Sequence, residues 1–219
     1  MALNKLKFNS INVTPAASEA LKFNSSANGF ETGSAGGAMT FIKKLTASSS
    51  STLSFVDGSS DVVLDNTYKE YVFHFNNIHP STGSFFTVGF RDGGTDYDAV
   101  KTTSSFRALH REDANSANVA YDTDDDLAQS TDFQRLTNSL TADDDGSASG
   151  ILHLFNPSQT TFVKHFISRS SGMVAGGANY AWDELIAGYC NTTTAIDGVQ
   201  FKMSSGNIDA GTITLYGIN

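Results

Sequence analysis

The stretch Glu70-Tyr-Val-Phe-His-Phe-Asn-Asn-Ile78 sets the fold class. Tyr71, Phe73 and Phe75 alternate with Val72, His74 and Asn76. Because successive side chains of an extended chain point to opposite faces, the segment presents one aromatic and one mixed face. Phe162, Lys164 and Phe166 alternate with Val163, His165 and Ile167 in the same manner. Working outward, segments of this period separated by Gly, Asp, Asn and Ser clusters fall at residues 39–46, 52–56, 70–78, 84–90, 99–107, 150–155, 161–168, 187–191, 199–203 and 212–216. Many short strands and few helical stretches predict an all-β chain: an antiparallel β-sandwich, with a jelly roll as its arrangement. The 16 phenylalanines, against 1 tryptophan, supply the apolar bulk that sheets packed face to face require.

The amino-terminal end is built differently. Leu-Lys-Phe-Asn-Ser occurs at residues 6–10 and again at residues 21–25, each copy alternating apolar and polar side chains. Two short strands alone make a marginal hairpin, so their apolar face needs cover from the body, a second copy or a larger assembly. Residues 31–38, Glu-Thr-Gly-Ser-Ala-Gly-Gly-Ala, hold no side chain able to anchor a core and read as a linker. The sequence therefore predicts an extended assembly arm over residues 1–38 and a sandwich body over residues 39–219. Leu6, Phe8, Ile11, Val13, Leu21 and Phe23 are the expected assembly contacts, and a homotrimer is the expected state.

Residues 112–149, rich in aspartate and poor in apolar residues, read as a surface excursion. Within them, Ser130 as a cap and Phe133, Leu136 and Leu140 at helical spacing make residues 130–140 the one helix candidate. Residues 170–182 enclose a glycine-rich run without the ending of a phosphate loop and read as an exposed loop. Residues 91–97, with Asp92-Gly93-Gly94, read as a hairpin turn.

The chemistry-bearing residues are sparse. Asp122, Asp124, Asp125 and Asp126, then Asp143, Asp144 and Asp145, form two acidic clusters. A calcium loop of the helix-loop-helix kind needs a bidentate Glu at its end, and neither cluster has one at that spacing. A solvated acidic loop is the plainer reading and no metal is assigned; were a cation to bind, Asp122, Asp124 and Asp126 form the triplet, because alternate residues of an extended loop share a side. The 5 histidines are scattered and Cys190 is alone, which excludes zinc-ligand spacing and implies no cofactor. Cys190 reads as a small buried strand residue. No Gly-x-Ser-x-Gly elbow occurs. Glycoside hydrolysis would need two facing carboxylates, for which Glu184 with Asp183 or Asp197 is the pair on offer. Tyr180, Trp182 and Tyr189 are the candidates for stacking on sugar rings, with burial in the core as the competing reading. The balance points away from an enzyme.

A net charge of -9, with no basic run longer than Lys43-Lys44, excludes a phosphate-neutralising surface and so predicts no nucleic-acid partner. No stretch approaches the apolar length of a membrane span, and the first residues lack a signal-peptide layout; membrane insertion is not expected.

Four phrases carry a resemblance. They are Met1-Ala-Leu-Asn-Lys-Leu-Lys-Phe-Asn-Ser-Ile-Asn-Val-Thr-Pro15; Thr67-Tyr-Lys-Glu-Tyr71 leading to Ile78-His-Pro80; Leu154-Phe-Asn-Pro-Ser158 with Thr161-Phe-Val-Lys-His-Phe166; and Phe201-Lys-Met-Ser-Ser-Gly-Asn-Ile-Asp-Ala-Gly211 closing on Leu215-Tyr-Gly217. In these the chain resembles a group of virion proteins of marine cyanophages and related marine phages, short structural proteins. The resemblance implies a virion location and a jelly-roll-like body, and transfers no catalytic residue. The expectation is a tail-fibre or appendage component, with capsid decoration as the neighbouring alternative. Its partners would be copies of itself, other virion proteins and a host surface polysaccharide. A carbohydrate-binding receptor module and a polysaccharide-degrading enzyme are the alternatives of another class.

Overall fold

A computed structural model describes residues 20–33 and 38–218. The chain divides between Ala38 and Met39. In the first unit, β1 (Ala20–Phe23) and β2 (Phe30–Gly33) form a two-stranded antiparallel hairpin. The body holds β3 (Met39–Thr46), β4 (Leu53–Val56), β5 (Glu70–Pro80), β6 (Phe86–Arg91), β7 (Lys101–Arg111) and β8 (Ala117–Tyr121). It continues with β9 (Gln134–Arg135), β10 (Ala148–Phe155), β11 (Lys164–Val174), β12 (Tyr180–Cys190), β13 (Gly198–Met203) and β14 (Ile208–Ile218). An eight-stranded sheet runs β3-β14-β5-β10-β11-β12-β7-β8 and a four-stranded sheet β4-β13-β6-β9. Every strand pairing is antiparallel, as the period-two pattern predicts. A jelly roll is the finer expectation; the sheets that form are unequal.

Residues 70–78 lie in β5, inside the larger sheet. Its aromatic face, Tyr71, Phe73 and Phe75, is fully buried. Phe73 meets Phe55 of β4 edge to face at 5.3 Å between ring centroids, and Phe75 lies 5.3 Å from Phe86 of β6. Phe86 stacks on Phe201 of β13 at 5.6 Å, and Phe90 of β6 reaches Phe166 of β11 at 4.8 Å. Each such ring taken out of water contributes about 1.5–3 kcal/mol, so the pairs Phe73–Phe55, Phe75–Phe86 and Phe90–Phe166 hold the two sheets face to face. On the far side of β5, His74 packs against Tyr216 of β14.

Several expectations are corrected. Residues 130–140 form no helix: Ser130 N–H donates to Lys101 C=O at 3.0 Å, Leu136 N–H to Phe86 C=O at 2.8 Å and Leu140 N–H to Ser84 C=O at 3.0 Å. Strands on either side thus take the donors that a helix would use internally. Residues 112–149 are not simply an excursion, since they include β8 and β9 and fully bury Leu136 and Leu140. Residues 170–182 are not a loop. They are the ends of β11 and β12, joined by a turn at 175–179. Residues 91–97 do not turn a hairpin but leave β6 in the small sheet for β7 in the large one. The turn residues there serve a crossing held by Arg91, whose Nε donates to Asp197 Oδ1 at 2.8 Å.

Candidate functional site

Two features stand apart from ordinary sandwich packing. The first is the arm hairpin. In its register Phe23 opposes Phe30 and Leu21 opposes Thr32, so Leu21, Phe23 and Phe30 share one face. The two rings stack at 4.9 Å, and Lys22 faces Glu31 at 3.5 Å on the other side. A turn closes the hairpin through Asn24 N–H to Gly29 C=O at 3.0 Å, with Ala27 in the left-handed region at φ 53°. Leu21, Phe23 and Phe30 are 44%, 66% and 45% exposed. The residues expected to be linker at 31–33 belong to β2 instead, because their backbone pairs with Ala20–Lys22. Of the expected assembly contacts, Leu21 and Phe23 lie in this hairpin; Leu6, Phe8, Ile11 and Val13 lie outside the described residues.

The second feature is a buried carboxylate cluster in the body. On β7 the residues facing the interior are Lys101, Thr103, Ser105 and Arg107, a polar set where a sandwich normally places apolar side chains. On β12 the same face carries Trp182, Glu184 and Ile186, with Glu184 directly opposite Arg107. The acidic segment after β8 folds over this polar strip and supplies partners to Thr103 and Arg107. Asp122, Asp125 and Glu184 each turn a carboxylate oxygen inward, and the three oxygens lie within 4.8 Å of one another. All three residues are at least 98% buried, at 2%, 2% and 1% exposure.

The network around them is dense. Arg107 Nη1 donates to Asp122 Oδ2, and Arg135 Nη1 to Asp125 Oδ1 at 2.9 Å. Glu184 accepts from Ser105 Oγ at one oxygen and from Trp182 Nε1, at 2.6 Å, at the other. Gln134 accepts from Thr103 Oγ1 at 2.7 Å and donates to the Asp125 carbonyl at 2.7 Å, pinning the segment to β7. The guanidinium of Arg107 lies over the Trp182 ring at 5.2 Å and that of Arg135 over Phe85 at 3.9 Å. Two groups of the network are left over: the Asp125 Oδ2 acceptor and the Arg107 Nε donor are buried with no hydrogen-bond partner among the described residues. Burial pushes the Glu184 carboxyl up to about 7, its hydrogen bonds from Ser105 and Trp182 opposing and the neighbouring Asp125 and Asp122 adding to the rise. Burial likewise raises Asp125, against the pull of Arg135.

This arrangement corrects the acidic-loop reading. Asp122 and Asp125 are buried and paired, not solvated. The alternate triplet does not form, for Asp124 is exposed and Asp126 instead accepts from Tyr121 Oη at 2.6 Å. The segment bends rather than extends, which brings Asp122 beside Asp125 and leaves Asp124 outside. Asp143, Asp144 and Asp145 are exposed. The glycosidase pair that would join Glu184 to Asp183 or Asp197 does not form. Asp183 is the neighbour of Glu184 on the strand and so points to the opposite face, where Arg169 Nη2 donates to it at 2.7 Å. Asp197 is bound to Arg91.

The aromatic candidates are likewise separated. Trp182 is 9% exposed and faces inward, its indole committed to Glu184, so it offers no open sugar platform. Tyr180 is half-buried at the start of β12, beneath Arg111 at 5.8 Å. Tyr189 lies near the other end of the strand against His165, roughly 30 Å away at about 3.3 Å per residue. Cys190 is fully buried, with its thiol pushed up to about 12 by that burial.

No protein-family model, curated protein or solved structure matches the chain.

Proposed function

We propose that this is a structural protein of a phage virion, a tail-fibre or appendage component that assembles through its amino-terminal arm. One observation carries the reading. The arm displays Leu21, Phe23 and stacked Phe30 on a hairpin too small to bury them, while the body closes a complete aromatic core of its own. An apolar face of that size on a two-stranded ribbon calls for a partner surface, and large rings are the side chains that dominate interfaces. The phrase-level resemblance to marine phage virion proteins agrees with this, as does an acidic chain without a basic stripe. Copies of the chain, expected as a trimer, and other virion proteins are the proposed partners; capsid decoration is the neighbouring placement within the same class. Host polysaccharide contact through Trp182 loses support from that residue's burial.

The test is to replace Phe23 and Phe30 together by Ser. The expected result is a folded body that sediments at lower mass than the unaltered protein and fails to enter particles. A doubly substituted chain that sediments and incorporates unchanged would remove the arm from assembly.

A further inference from the structure

We propose that Asp122, Asp125 and Glu184 form a binding site for a divalent cation of calcium size, held inside the body beneath the Asp122–Arg135 segment. An acidic cluster alone would not carry this. What does is Asp125 Oδ2, an acceptor in an almost wholly buried side chain of this three-carboxylate group, with no donor among the described residues. A buried polar atom without a partner costs about 1–3 kcal/mol, and native proteins rarely retain one without an ion, a water or a role.

The spacing suits the ion. Two oxygens bound to one calcium at 2.3–2.6 Å lie at most about 4.6–5.2 Å apart, and the three oxygens here fall within 4.8 Å. Magnesium keeps several waters rather than take a site built wholly of protein ligands. Charge balance points the same way. Three carboxylates face two guanidinium groups, Arg107 and Arg135, each bound to one aspartate, so the ionised cluster carries a net negative charge inside the protein. Arg107 and Arg135 are the more exposed members and form its outer wall. Glu184 can still coordinate, because a carboxylate oxygen accepting from Trp182 or Ser105 retains a second lone pair. The ion would tie β12 to the segment that closes over it, giving three ligands from two parts of the chain about 60 residues apart.

Terbium tests this directly, since it takes calcium sites and is sensitised by a nearby indole. Trp182 is the chain's single tryptophan and its Nε1 touches a proposed ligand. Excitation of Trp182 in the full chain is expected to give terbium emission that saturates at one ion per chain and is displaced by calcium. Calcium at a hundredfold excess over its Kd should raise the melting temperature by about 5–10 °C, reversed by EDTA. Asp125→Asn should abolish both, while Asp124→Asn with Asp126→Asn, outside the cluster, should leave both intact. Glu184→Gln provides a second variant should Asp125→Asn fail to fold. Absence of sensitised emission from the unaltered protein would overturn the proposal. So would emission that survives in a folded Asp125→Asn or Glu184→Gln chain, or emission abolished by the Asp124 and Asp126 changes.

Discussion

Trp182 donates its indole N–H to Glu184 Oε2 at 2.6 Å, two positions away on the same inward face of β12. The only tryptophan of the chain is thus wired to the carboxyl most displaced toward neutral pH, and a protonation event inside the body acquires an optical reporter.

In protein freed of divalent ions with EDTA, tryptophan emission should change with a midpoint near pH 7. Ionisation of Glu184 strengthens its hydrogen bond to the indole, and the groups facing it are Asp122, Asp125, Arg107 and Ser105. A Glu184→Gln chain should show no such transition. An unchanged transition in that variant would detach the indole signal from Glu184.

Stability should follow the same group. Its ordinary value is 4.5 and the folded value about 7, so between these pH values the folded protein holds a proton that the unfolded chain has released. The contribution is present in full below about pH 4.5, declines as pH rises, and is gone above about pH 7, a change on the order of 3 kcal/mol. Urea denaturation of the unaltered and Glu184→Gln chains at pH 5 and pH 8 isolates it. The gap between the two chains should depend on pH in this direction, and a gap of constant size would contradict the assignment.

The core was legible where apolar side chains alternate, and the site was not. Tyr71, Phe73 and Phe75 announce β5 because every inward position is a ring. The segments read at 99–107 and 161–168 reach into β7 and β11, but the outer end of β11 and the first part of β12 escape the pattern, because inward Ser170 and Glu184 break the alternation of hydrophobicity there. A usable signal did exist. Lys101, Thr103, Ser105 and Arg107 share one parity of a strand, and polar residues facing inward demand partners, which Gln134 supplies to Thr103, Glu184 to Ser105 and Asp122 to Arg107. Which aspartates turn in depends on how the segment after β8 bends, and the local device there, Asp122 Oδ1 accepting from Asp124 N–H at 3.2 Å, does not by itself select Asp122 and Asp125.

Cys190 should be unreactive in the native state. It is fully buried between Lys101 and Lys164 on the adjacent strands, and its thiol stays protonated at neutral pH. Ellman's reagent should label it only as fast as the body opens, and immediately in denaturant. Labelling at the rate of a free thiol in native protein would place Cys190 at the surface.

Gly211 sits at a register shift between β14 and β5, with φ at +121°. A Cβ there would lie 2.6 Å from the Asn77 carbonyl oxygen and 2.9 Å from Ile78 Cα. Gly211→Ala should therefore cost more than about 1 kcal/mol in urea denaturation, since both the backbone angle and the neighbouring strand resist it. Gly58→Ala, where φ is +71° but nothing approaches, provides the comparison with strain alone and should cost less.

The sandwich's dependence on its aromatic core can be set against its tolerance at the surface. Phe201 lies fully buried among Phe55, Phe73 and Phe86, at 6.3, 5.5 and 5.6 Å, so it joins β13 of the small sheet to β5 of the large one. Truncation to Ala removes these contacts and leaves a cavity that stiff strands on both sides cannot close, at about 3–5 kcal/mol. At roughly 2–4 °C per kcal/mol for a body of this size, Phe201→Ala should melt some 6–20 °C lower. Phe106 is 49% exposed on the outer face, edge to face with Tyr121 at 5.3 Å and opposite Leu185 in the register of β12. Phe106→Ala forfeits that pair, about 1 kcal/mol, and should shift melting by a few degrees at most. Equal losses in the two variants would mean that the ring cluster does not hold the sheets together.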